Sequence, residues 1–156
     1  MVDYVLEGPK WGSSGLMTAG GTVTWAIDQT VPLNFIPFLD SAFDDWSGYG
    51  NIQFQEVDSA QSAQIDITLG AIDGPGGVLG VTNYSYSRTT FSSAVVELDS
   101  GEGWHSSGNR IVSTEGADLF AVALHEIGHA LGLDHYSAAP AVMNPVLTRA
   151  HGSNTV

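Results

Sequence analysis

Three histidines and a glutamate stand at H-E-x-x-H-x-x-G-x-x-H spacing in His125-Glu126-Ile127-Gly128-His129-Ala130-Leu131-Gly132-Leu133-Asp134-His135. On a helix, His125 and His129 share one face, a turn apart and about 6 Å along the axis, so the two imidazoles can grip one metal ion. Gly132 suits a helix stop, because it enters the left-handed region that most residues avoid. The chain then turns and brings His135 back as a third nitrogen ligand. Three protein ligands leave zinc's fourth position open to water, the layout of a catalytic rather than a structural site. Glu126 points about 100° round the helix from His125. It is thus off the metal but near the water, where a general base belongs. Asp134 lies beside His135, but the G-x-x-H offset favours the histidine as ligand. The competing reading is a buried helix with satisfied histidines. Three histidines and a carboxylate in an apolar run would be costly there unless paired or metal-bound.

The elements that must position these groups follow from periodicity. Residues 118–131 predict the site helix, with Leu119, Ala123, Ile127 and Ala130 as its core stripe and Phe120, Leu124 and Leu131 flanking it. Ser113 or Thr114 is the expected cap before it, at the end of a polar loop over 101–116. His105 in that loop reads as a solvated histidine. Residues 21–27 alternate Val23, Trp25 and Ile27 against polar neighbours, a first strand. Phe35, Phe38, Leu39, Ala42, Phe43 and Trp46 recur at helical spacing, so a helix is expected over 36–47, with Pro37 in its first turn and Gly48 as its C-cap. Further strands are expected at Ile52–Val57, at Ile65–Leu69, over 78–86 and over 94–98. Asp73-Gly74-Pro75-Gly76-Gly77-Val78-Leu79 reads as a tight turn into a strand. Residues 1–20 are Gly- and Ser-rich and read as an arm lying over the domain.

Composition narrows the function classes. The 156 residues suffice for one domain with a real core, spanning 1–156. A net charge of −13, with four Lys plus Arg, argues against nucleic acid and anionic membrane surfaces as partners. The same acidity suits calcium, a hard cation that prefers carboxylates. There is no cysteine, hence no disulfide framework. No stretch is long and apolar enough to span a bilayer, and no classical secretion signal is visible at the start.

The His125–His135 motif resembles the metzincin zinc endopeptidases. Met143, in Ala141-Val142-Met143-Asn144-Pro145, sits eight residues after His135 and fits the methionine turn of that family. The Leu131-Gly132-Leu133-Asp134-His135 run is similar to the matrixin and serralysin branch (peptidase M10). Tyr136 stands where astacins carry Glu, and Pro145 stands where serralysins carry a tyrosine ligand. Ala42-Phe43-Asp44-Asp45-Trp46-Ser47, Phe54-Gln55-Glu56-Val57 and Ile65-Asp66-Ile67 extend the resemblance in matrixin order.

The resemblance implies an α+β zincin-like fold: a twisted five-stranded mixed sheet, an antiparallel edge strand and two main helices. It implies a zinc-dependent endopeptidase acting on polypeptides, secreted and monomeric, with catalytic zinc on His125, His129 and His135 and Glu126 as base. An inactive zinc-binding fragment or binding module of a larger secreted protein is the alternative. Structural calcium is implied on the Asp73 carboxylate, the carbonyls of Gly74, Gly76 and Val78, and the carboxylates of Asp99 and Glu102. The positions matching the ligands of the family's structural zinc read Asp66, Thr68, Val81 and Glu97, none a histidine, so one zinc is expected, not two. Substrate would lie along Leu79, Gly80 and Val81 of the edge strand. The pocket for the residue after the scissile bond would be lined by Ala121 and Val122 and walled by Pro145, Val146 and Leu147. A family-type cysteine-switch propeptide is not visible, and no C-terminal helix is legible in the polar His151–Val156 end.

Overall fold

The computed structural model describes residues 4–13, 15, 18–138 and 141–146. In chain order its elements are β1 (Val5–Leu6), β2 (Gly21–Ile27), α1 (Ile36–Tyr49), β3 (Ile52–Glu56), β4 (Ile65–Gly70), β5 (Gly80–Ser87), β6 (Thr90–Asp99), β7 (His105–Ser107), β8 (Arg110–Val112), α2 (Leu119–Ala130) and β9 (Leu133–Asp134). The central sheet has five strands in the order β3-β2-β4-β6-β5. β2 runs parallel to β3 and β4, β4 runs parallel to β6, and only β5 is antiparallel. This is the α+β arrangement with an antiparallel edge that the resemblance implies.

Alternation places Val23 and Trp25 of β2, Ile65 and Ile67 of β4, and Ala94, Val96 and Leu98 of β6 in the core. Facing them, α1 contributes Leu39, Ala42, Phe43 and Trp46, and Trp25 stacks on Phe43 with ring centroids 4.5 Å apart. The apolar run of α2 is buried almost all round, as its lack of a polar face requires. Trp46 joins the two helices by donating its indole N–H to the Leu124 carbonyl at 2.9 Å. That bond fixes the depth at which the site helix sits.

Several boundaries differ from expectation. The helix α1 continues through Gly48 and ends at Gly50, whose φ of −107° is extended rather than left-handed. β5 starts at Gly80 rather than Val78, because the Val78 N–H turns to the Asp73 carboxylate at 3.0 Å. The polar loop over 101–116 contains the β7–β8 hairpin. Neither Ser113 nor Thr114 caps α2. The N-cap is Asp118, whose carboxylate accepts from the N–H groups of Phe120 and Ala121. Ser113 is buried and accepts from the Ala117 N–H at 3.0 Å. A bridge between Val112 and Asp118 carries the chain from the hairpin into the helix, so the cap lies four to five residues later than the polar spacing suggests. The arm also holds more structure than its composition indicates. β1 pairs with β9 and Trp11 is buried.

Candidate metal centre

The helix α2 carries His125 and His129 one turn apart, as the spacing dictates. Its end is set by Gly132, which has φ +91° and the Pro9 carbonyl oxygen only 2.4 Å from where a Cβ would stand. A side chain there would meet both backbone strain and a clash. The turn returns His135 to the other two. The Nε2 atom of His129 lies 3.2 Å from Nε2 of His125 and 3.2 Å from Nε2 of His135. Tetrahedral coordination at 2.0–2.1 Å places nitrogen ligands about 3.3 Å apart.

The far sides of the rings settle which nitrogen is free. His125 Nδ1 donates to the Val142 carbonyl at 2.7 Å, and His129 Nδ1 donates to the Leu133 carbonyl at 2.8 Å. Each of these rings, when neutral, therefore keeps a lone pair on Nε2. Two lone pairs facing each other at 3.2 Å cannot form a hydrogen bond. A cation between them resolves the arrangement, so the donor set fits zinc. Burial pushes the His125 imidazole down to about 4, with the Val142 bond opposing and the neighbouring His129 and His135 reinforcing the shift. At neutral pH the ring is therefore neutral, with a lone pair on Nε2.

Among the described residues these three histidines are the one group of His, Cys, Asp or Glu side chains whose ligand atoms converge, all within 4.8 Å. The Asp134 carboxylate instead accepts from the His135 N–H at 2.7 Å, and His105 is exposed with Nδ1 at the Gly103 carbonyl. Beneath the centre, Met143 is buried in a turn that also presents the Val142 carbonyl to His125. Gly128, a variable position of the motif, leaves room for it. A Cβ there would stand 2.3 Å from Met143 Sδ.

Glu126 is buried beside the histidines, with its Oε2 accepting from the Thr82 hydroxyl at 2.8 Å. Burial raises its pKa, while the Thr82 bond and the neighbouring His129 pull the other way. The three histidines and Glu126 line a cavity of about 910 Å³, with Leu79, Gly80, Val81, Pro145 and Val146 also in its wall. Ala121 and Val122 are not in that lining. Val122 is fully buried, and Glu115 and Ala117 occupy the cavity wall. Leu147 lies outside the described residues.

Sequence reasoning missed Thr82 and Glu7. Thr82 had a signal, since Gly80, Thr82 and Tyr84 alternate onto one face of β5. Glu7 had none. It reaches His129 from 122 residues away, with Oε1 at 3.3 Å from Nδ1.

A second cluster joins two loops. Asp99 is fully buried, and its carboxylate accepts from the N–H groups of Ile72, Asp73, Gly74 and Gly101 at 2.8–3.3 Å. Burial alone would raise its pKa, but these bonds hold it below the usual carboxylate value. The Asp73 carboxylate accepts from the Val78 N–H, and Glu102 Oε1 accepts from the Gly76 N–H at 3.0 Å. Glu102 Oε2 is buried without a hydrogen-bond partner. Such an orphaned carboxylate oxygen is chemically suited to a hard cation. Elsewhere, register sets Thr68 and Val81 on either side of Glu97, with Asp66 two residues before Thr68 on β4.

A sequence profile of the matrixin family matches residues 18–156. Metalloendoproteinase 1 of Glycine max is 33% identical over 147 residues, covering 88% of this chain and 45% of that protein. Metalloendoproteinase 1-MMP of Arabidopsis thaliana is 36% identical over 151 residues, covering 89% of this chain and 39% of that protein. Stromelysin-3 of Rattus norvegicus is 31% identical over 152 residues, covering 93% of this chain and 28% of that protein. The chain spans less than half the length of each of these relatives. With the profile running through the histidine motif and the mixed sheet behind it, the chain belongs to the matrixin family of peptidases.

Proposed function

We propose that this chain is a zinc-dependent endopeptidase domain, with zinc held by His125, His129 and His135 and Glu126 as general base. The observation that carries the reading is the convergence of three Nε2 atoms beside a buried carboxylate in one open cavity. Zinc in such a centre supplies Lewis acidity and makes water a nucleophile near neutral pH. Glu126 takes the proton of the attacking water and returns it to the leaving amine nitrogen. Thr82 holds the glutamate's other options in check by fixing Oε2. β5 ends the sheet order, so its outer edge has N–H and C=O groups that an extended peptide can pair with. Leu79, Gly80 and Val81 lie at the start of that edge, and Pro145 and Val146 line the same cavity, which favours an apolar substrate side chain. In this reading Leu147 continues the cavity wall, and Ala121 and Val122 are residues of α2 outside the cavity lining.

Calcium belongs to the same reading, held by the Asp73, Asp99 and Glu102 carboxylates and the Gly74, Gly76 and Val78 carbonyls. The orphaned Glu102 oxygen supports it. We further read residues 1–156 as one catalytic domain, monomeric, acting outside the cell on extracellular polypeptides and engaging neither nucleic acid nor membrane. The net charge of −13 supports the last point.

The test is hydrolysis of a mixed quenched-peptide library with and without a zinc chelator, followed by zinc add-back. Cleavage lost with chelator and restored by zinc is the expected result. Folded, zinc-loaded protein that cuts no peptide would overturn the enzyme reading in favour of a zinc-holding binding module.

A further inference from the structure

We propose that Glu7 is a positioning residue of the metal centre, by which the N-terminal arm tightens zinc binding through His129. The inference rests on the reading of His125, His129 and His135 as the zinc ligands. The arm reaches the centre by backbone pairing. Val5 and Leu6 of β1 lie opposite Asp134 and Leu133 of β9, within the loop that delivers His135. The Glu7 N–H continues the ladder to the Gly132 carbonyl at 2.8 Å. Further along, the buried Trp11 indole donates to the Ala130 carbonyl at 2.8 Å, and the Pro9 carbonyl packs on Gly132. The arm is thus stitched along the whole turn between the second and third ligands.

Held there, the Glu7 side chain points at the back of His129. Oε1 lies 3.3 Å from Nδ1, the ring nitrogen opposite the converging Nε2 atoms. Glu7 therefore acts through the ring rather than as a ligand. The Leu133 carbonyl, at 2.8 Å, already fixes the tautomer. What the carboxylate adds is negative charge: it offsets a divalent cation across one imidazole and makes Nε2 a stronger donor. The pair is mostly shielded, with side-chain exposures of 15% for His129 and 17% for Glu7, so solvent screens it weakly. The Tyr84 hydroxyl donates to the other carboxylate oxygen and keeps the group aimed. Tyr84 stands on β5, so one carboxylate links the arm, the edge strand and a zinc ligand.

The experiment is competitive titration of zinc against a chromophoric chelator, for wild type, Glu7→Gln and Tyr84→Phe, with thermal melting of each metal-free protein. Glu7→Gln keeps the shape and an acceptor oxygen but removes the charge. It should weaken zinc binding by about 10- to 100-fold while leaving metal-free melting unchanged. Tyr84→Phe should weaken binding in the same direction by less. Glu7→Gln that folds and binds zinc as tightly as wild type overturns the proposal and leaves the endopeptidase reading intact. Wild type that binds no zinc overturns both. Should Glu7→Gln melt early, Tyr84→Phe decides: zinc binding equal to wild type then overturns the proposal.

Discussion

The molecule carries two polar clusters, a histidine triad and a set of loop carboxylates, and they are built in opposite ways. The histidine cluster comes from eleven consecutive residues, His125 to His135, and its Nε2 atoms face one another. The acidic cluster joins two loops around Asp73 and Asp99, and most of its oxygens face backbone N–H groups. The difference lies in the ligand chemistry. In His125 and His129 the back nitrogen can be satisfied by a carbonyl while the front one stays aimed and unsatisfied. A carboxylate offers about four acceptor sites. It can organise a loop through N–H groups and still spare an oxygen, as Glu102 does. The first cluster is left with unsatisfied ring nitrogens facing one another, whereas the second is an almost fully bonded loop with one oxygen to spare. Under the proposed function the first would govern activity and the second stability.

Removing a ligand is the sharpest way to test that division. His129→Ala should lose zinc through gel filtration and bring peptide hydrolysis to background. Retained zinc in that variant would mean the centre is not the triad. Glu126→Gln should separate binding from chemistry: zinc affinity stays, while kcat falls by about 10²–10⁴-fold. Full activity in that variant would remove the glutamate from the mechanism.

Acid should reach the two clusters in different ranges. In the metal-free protein the His125 ring should titrate at about 4, because it is buried. An unfolded histidine binds its proton near 6.5. Between those values the unfolded chain holds more protons, so this residue's contribution, at most about 3 kcal/mol, is present above pH 6.5 and lost as pH falls toward 4. The Asp99 pKa is lowered instead from 3.8, so its contribution goes only as pH drops below that value. Ring-proton NMR across an acid titration checks the first statement. A His125 midpoint near 6.5 would contradict its burial.

The smallest effect belongs to the acidic loops. For zinc-loaded protein, calcium at about 100 times its Kd should add about 2.7 kcal/mol. That corresponds to a rise in melting temperature of roughly 5–10 °C for a chain of this size. Glu102→Gln should erase most of that rise and leave zinc affinity alone. A calcium shift that survives the substitution would move the cation elsewhere.

How far each feature could be read in advance depends on how far its residues are separated along the chain. The meeting of the three histidines, with Glu126 on the same helix, was legible because helical periodicity turns a spacing of four into a shared face. The strands β2 and β4 were legible by alternation, with Val23 and Trp25, then Ile65 and Ile67, pointing into one core. Expectation slipped where local chemistry had equivalent options. Ser113, Thr114 and Asp118 can all cap a helix, and the hairpin before α2 selects the last. Ala121 and Val122 sit near His125 in sequence, yet packing buries Val122 and leaves the cavity wall to Ala117 and Glu115.

By itself, then, the amino-acid order determined which histidines meet, that Glu126 stands beside them, the helix that carries them and the matrixin resemblance, because each depends on contacts within a turn or two of backbone. Tertiary structure decided what stands behind those groups. Val142 behind His125, Thr82 against Glu126, Glu7 behind His129 and Met143 beneath Gly128 all arrive from other elements. No periodicity encodes such meetings. They follow from how α2 seats against Trp46, from the register of β5 on β6, and from the pairing of β1 with β9.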